Sequence, residues 1–258
     1  MDATLPLSLA LGALIGCSLG LFGGGGSILA VPVLVYVSHV APAAAVGMSL
    51  AIVGSTSLIA AFAHWRRGRV HGGTALRFGA AGILSALVGA RFTHLVPGFV
   101  LMIAFAVLMT VAGGWMLLGR RLVRPTPDAE RPRGRWLPAL LAGAGVGAIT
   151  GFLGVGGGSL VVPALVELAR LDMRAAVGTS LLIIALNSGA GFLGHLDGDG
   201  MDFGLIALLT VAAIAGAFLG ERAARHLSVH RLRQGFALFV ITVGVVVAAS
   251  AVVGGAHA

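Results

Sequence analysis

The chain contains no lysine; all 17 of its basic residues are arginine. It has one cysteine, Cys17, and one tyrosine, Tyr36, and charged residues make up only 10% of its 258 positions. Each scarcity excludes something. A single thiol cannot form an internal disulfide, so sulfur says nothing about redox compartment. So few charges cannot cover the surface of an ordinary soluble domain. The formal net charge is +8, but the arginines sit in short loops between apolar spans, which is topology information rather than a nucleic-acid patch. No HExxH, GxSxG or cysteine–histidine cluster occurs, and the glycine runs lack the lysine of a P-loop. An enzyme is therefore not expected, nor is a metal or a cofactor. No carboxylate falls securely inside an apolar span, since Glu167 and Glu221 lie near segment ends; this argues against a cation path or an acidic proton relay. Leu14–Cys17 resembles a lipoprotein box, but no Arg or Lys precedes it, so a cleaved signal is not expected.

What is abundant is apolar sequence: 58% of the residues are hydrophobic. Apolar segments run approximately over 5–22, 27–38, 43–64, 73–93 and 98–119, then 136–153, 159–170, 174–195, 203–223 and 233–253. This predicts an all-α polytopic membrane protein in contact with the lipid bilayer. The stretch from Arg120 to Arg135, RRLVRPTPDAERPRGR, is too charged and proline-rich for a membrane helix. It divides the chain into a first membrane repeat (1–119), a cytoplasmic linker (120–135) and a second membrane repeat (136–258).

The two halves are copies. A shift of about 131 residues aligns them without a gap, and about 17 of the 38 positions from Gly20 to Ser57 are identical. GLFGGGGSILAVP (Gly20–Pro32) falls on GFLGVGGGSLVVP (Gly151–Pro163), and Ala45–Leu50 falls on Ala176–Leu181. The arginines decide orientation. Parallel copies would leave at least seven arginines outside in either orientation. If residues 5–38 and 136–170 instead fold back at their glycines, the copies become inverted and only Arg91 is left outside. The positive-inside rule favours inverted repeats of about five helical segments each, with broken or re-entrant helices at the glycine-rich runs. Residues 27–38 would then form a helix of about 18 Å, too short to cross a hydrocarbon core of about 30 Å. Two such helices entering from opposite sides would bring their glycine tips together near the midplane. Gly12, Gly16 and Gly20, with Gly143, Gly147 and Gly151, form four-residue ladders that read as close helix packing.

The candidate site follows from these breaks. At each one the amides of the following short helix, expected to start at Ser27 and near Ser159, have no intrahelical partner. Gly23, Gly24, Gly25, Gly26 and Ser27 in one half, and Gly154, Gly156, Gly157, Gly158 and Ser159 in the other, would present backbone donors to an anion. The competing reading is that these glycines only permit tight packing. The next helix of each half offers Ser49, Thr179, Ser180 and Asn187. A serine there can equally bond its own preceding turn, whereas a mid-segment amide needs partners. His64 and His195 end equivalent helices and read as interfacial residues.

The duplicated GLFGGGGS–VP and GFLGVGGGS–VP, each followed by AVGxSL, resemble the TauE/SafE sulfite-exporter family of membrane permeases from about Leu11 to Val252. Val155, and Gly158 opposite Ser27, depart from a repeated pattern and make the site asymmetric. The resemblance implies a secondary transporter, an exporter, for a small inorganic or organosulfur anion such as sulfite or an organosulfonate. It implies a multi-pass protein of the bacterial inner membrane, with a possible coupling proton or ion and no nucleic acid. An anion channel, or a non-transporting sensor or assembly partner, remains open at this point.

Overall fold

The computed structural model describes residues 4–23, 25–93, 95–118, 136–153, 161–162, 165, 171, 173–196, 200–224, 234–235, 237–238 and 241–249. Its delimited helices are α1 (Thr4–Phe22), α2 (Ala30–Tyr36), α3 (Pro42–Trp65), α4 (Gly72–Thr93), α5 (Gly98–Leu118), α6 (Trp136–Leu153), α7 (Met173–Leu193) and α8 (Phe203–Ala224). A 3-10 turn, Gly25–Leu29, precedes α2, and residues 241–249 are helical as well. Among the described residues, four stretches are long and apolar enough to cross a bilayer: Pro42–Trp65, Gly72–Thr93, Ala175–Leu193 and Phe203–Ala223. Large apolar side chains such as Leu76, Leu84, Val211 and Leu219 point outward from them. Such an apolar outer surface is the one lipid covers. The chain is an all-α, multi-pass membrane protein.

Local chemistry sets the helix ends. Pro42 opens α3 at its first position, where a missing N–H costs nothing. The loop after α3 turns at Gly68, whose φ of +68° suits a residue without a Cβ. Asp202 caps α8, its Oδ1 accepting the Leu205 N–H at 2.9 Å.

The first glycine break departs from the expected continuous helix beginning at Ser27. Gly25–Leu29 winds as a 3-10 turn and the α-helix begins only at Ala30. Pro32 supplies the physical reason: it has no N–H to bond the Ile28 carbonyl, and its ring crowds that carbonyl, so the preceding turn is the tighter form. The chain does fold back here. Ser8 Oγ, near the start of α1, lies 3.5 Å from Ser38 Oγ beyond the end of α2, and Gly26 packs on Ile15, Ser18 and Leu19 of α1. The 120–135 linker, the run Gly154–Ser159 and all of the 159–170 segment except Val161, Val162 and Leu165 lie outside the described residues.

Helix packing between the halves is reciprocal. Along α1 and α8, Gly12 meets Leu209, Gly16 meets the Ala213 carbonyl and Gly20 meets the Ala217 carbonyl. Along α6 and α4, Gly143 meets the Phe78 carbonyl, Gly147 the Gly82 carbonyl and Gly151 the Ala86 carbonyl. Each pair in one set maps on its counterpart by the same 131-residue shift, with the halves exchanged. A methyl group on the inner glycines of these ladders would overlap backbone, so the four-residue spacing works as close helix–helix packing. Between these pairs, α3 packs on α7. Gly47 faces His195, Leu50 faces Gly191, Gly54 faces Ser188 and His64 faces Gly178. Numbers rise along one helix as they fall along the other, so the equivalent helices α3 and α7 run antiparallel. Ile28, Leu34, Met48, Leu50, Phe105 and Leu181 fill the core around them.

Candidate anion site at the glycine break

The first break lies directly against the second half. Gly23 takes φ +69° and packs on Val177, and the Ser180 hydroxyl reaches its carbonyl oxygen. The same hydroxyl lies 2.8 Å from the Val177 carbonyl, and with one proton it donates to one of them at a time. Thr179 Oγ1 accepts the backbone N–H of His71 at 3.0 Å. The sequence AVGTSL of the second repeat is therefore wrapped around the glycine break of the first.

Gly26, Ser27, Ser49, Thr179, Ser180 and Asn187 are all buried, and Gly25 begins the 3-10 turn. Ser49 Oγ donates to the Val46 carbonyl at 2.8 Å, which is the local back-bond a helical serine commonly makes. Gly24, Gly154, Gly156, Gly157, Gly158 and Ser159 lie outside the described residues. The described cavities are elsewhere. One, of ≈ 10 Å³, is lined by Gly20, Thr56, Ala60, His64, Ala217 and Glu221 among others. The other is an open groove of ≈ 450 Å³ beside Arg67, Phe218, Glu221 and Arg222. Neither is lined by Gly23, Thr179 or Ser180, and these three residues are buried.

Polar groups without partners mark the neighbourhood. Asn187 is fully buried in α7, and neither its Oδ1 nor its Nδ2 has a hydrogen-bond partner. Gly82 of α4 makes room for it, since a Cβ there would land on the amide. Thr56, Ser57 and Ser188 are likewise buried with unpartnered hydroxyls. These four occupy two equivalent pairs of positions, Thr56 with Asn187 and Ser57 with Ser188. Buried polar atoms are rarely left unmatched, so this is a band of chemistry that the packing alone does not use. The site predicted from the glycine runs omits Thr56, Ser57, Ser188 and Gly82. Their signal was the repeated position for the hydroxyls; for Gly82 there was none, because its role exists only where α4 meets α7.

The family model "Sulfite exporter TauE/SafE" matches residues 8–247. The chain belongs to this family. It is similar to a "Probable membrane transporter protein" of Xylella fastidiosa (strain 9a5c), 34% identical over 247 residues, 95% of each chain. It is also similar to YdhB of Bacillus subtilis (strain 168), named a probable membrane transporter protein, at 25% identity over 81% of this chain and 86% of the relative. A Haemophilus influenzae (strain ATCC 51907 / DSM 11121 / KW20 / Rd) protein with the same description is 27% identical over 95% of this chain and 98% of its own. No solved structure matches the chain. This TauE/SafE chain is thus a membrane transporter rather than an enzyme.

Proposed function

We propose that this TauE/SafE protein is a secondary permease that exports a small anion, sulfite or an organosulfonate, across the bacterial inner membrane. Its halves are inverted repeats that rock about a central site in alternating access. The observation that carries the reading is the meeting of the two repeat signatures, with Val177 and Ser180 of the second half closed on Gly23 of the first. Backbone amides of the 3-10 turn and neutral hydroxyls can hold an anion by directed donors, with no buried cation to trap it. The equivalent site of the other half would be Gly154, Gly156, Gly157, Gly158 and Ser159 closed on Ser49. Asn187 lies deeper and completes the shell as an amide donor.

Support for inversion is twofold. The equivalent helices α3 and α7 run antiparallel, as a two-fold axis in the membrane plane requires, and the arginine distribution favours the same arrangement. The sulfur oxyanion comes from the family's description and the anion class from the donor set. The experiment is a thermal-shift screen with sulfite, sulfate, short sulfonates and carboxylates, followed by flux of the stabilising anion in liposomes. A specific ligand present at a hundred times its Kd adds about 2.7 kcal/mol to the state it binds. Gly25→Leu, placed at the start of the 3-10 turn, is expected to abolish both the shift and the flux. Undiminished flux by a folded Gly25→Leu protein would reject this site.

A further inference from the structure

A second cluster sits one helical turn from the glycine break and has no part in holding the anion. Glu221, in the last turn of α8, forms an ion pair with Arg67 in the loop after α3. The carboxylate side chain is 13% exposed and the guanidinium side chain 38%. The pair joins the first half to the second. Glu221 also lines the ≈ 10 Å³ pocket that it shares with Thr56 and His64, a space that admits about one water molecule. His64 Nδ1 and Thr56 Oγ1 are buried there without hydrogen-bond partners. A water in such a space would have the several polar neighbours that a buried water needs.

The same pocket is lined by Gly20, three residues before Gly23. On its other side His64 packs on Gly178, next to Thr179 and Ser180. His64 therefore stands between the carboxylate and the residues closed on the glycine break. The repeat itself singles out these groups. The counterpart of Glu221 is Ala90 and that of Arg67 is Gly198, so the charge pair exists in one half-to-half contact only. The counterpart of His64 is His195, whose Nδ1 is engaged with the Gly191 carbonyl at 2.9 Å. Duplication alone would have kept both ends alike.

We propose that Glu221 is the proton-binding site that couples anion passage to proton movement, with Arg67 as its exchangeable partner and His64 relaying toward the anion site. The proposal rests on the permease reading above. A buried carboxylate is tolerable when ionised beside Arg67 or when neutralised by a proton, and costly when it is neither. Proton binding therefore releases Arg67, and Arg67 rebinding expels the proton. Because the ion pair spans the two halves, the two protonation states favour different relative positions of the halves. Other charged or titratable groups in the surroundings are Arg66, Arg69 and His71 in the same loop, Arg222 beside Glu221 on α8, and Cys17, which packs on Gly220 from α1. Glu221 is the carboxylate among them.

The test uses the full chain in proteoliposomes with radiolabelled sulfite as the probe. Isotopic exchange at equal pH reads passage of the anion, and net uptake under an imposed pH gradient reads the link to protons. The expected result for Glu221→Gln, which holds the protonated form's charge, is retained exchange with loss of gradient-driven uptake. A variant that exchanges sulfite and still follows the gradient like the wild type would overturn the proposal. If Glu221→Gln fails to fold, Arg67→Gln removes the ion pair and is expected to lose the gradient response in the same way. Entrapped pyranine provides a measurement on the unaltered protein: sulfite movement should carry protons beyond those seen in protein-free vesicles. Wild-type exchange with no gradient response refutes the proton site alone, whereas no wild-type exchange refutes the permease reading and the proton site with it.

Discussion

Replacing Asn187 by leucine should make this protein more stable and less able to transport. The amide is fully buried and neither of its polar atoms is matched. Leaving a buried polar group unsatisfied costs about 1–3 kcal/mol, so the two atoms together carry roughly 2–6 kcal/mol of strain against the folded state. Leucine is close to asparagine in shape, and the facing Gly82 leaves a space that already admits a branched side chain. Imperfect fit would return about 1–3 kcal/mol of this, leaving a net gain of about 2 kcal/mol at the midpoints of the two ranges. The gain is measured by thermal melting of the detergent-purified protein without ligand, and the loss by sulfite flux in liposomes. A folded Asn187→Leu protein that melts lower than the wild type would refute the account of an unmatched amide. One that melts higher and transports normally would place Asn187 outside the anion's path. Gain in stability with loss of flux is the signature of a residue kept for function at the expense of the fold.

Two further outcomes test the packing and the orientation. Gly147→Ala should lower the melting temperature, because its methyl would overlap the Gly82 carbonyl, whereas Gly145→Ala on the same helix has open space around it and should be neutral or gain up to about 1 kcal/mol from helix propensity; equal melts would show that the ladder is not tightly packed. Reporter fusions within residues 66–72 and 224–232 should register on the same, cytoplasmic side, and opposite-side signals would reject inverted halves.

Much of the architecture was legible because duplication and helical spacing are both written along the chain. Gly12, Gly16 and Gly20, with Gly143, Gly147 and Gly151, could be read as close-packing ladders from their period alone. Their partners could not, since nothing in the sequence says that α1 meets α8 rather than α3. The break at Gly23 was legible from glycine and proline, but its 3-10 winding depends on how Pro32 meets Ile28 in space. Thr179 and Ser180 were visible as hydroxyls at repeated positions. That Ser180 closes on Gly23 and Thr179 meets the His71 N–H, while Ser49 makes a back-bond to Val46, was decided by packing.

His64 and Glu221 show the limit most clearly. Each is near the end of its helix, which in sequence reads as an interfacial residue free to meet water. In the fold, α1, α3 and α8 converge there, and a pocket encloses both beneath the first glycine break.

Composition, apolar run length and the 131-residue repeat determined that this chain crosses a membrane as helices in two related halves, because a bilayer accepts few alternatives for so apolar a backbone. Which helix faces which, and so which polar groups lose water without gaining a partner, was decided only by tertiary structure. Burial is a property of neighbours brought from far along the chain, and no local pattern of residues records it.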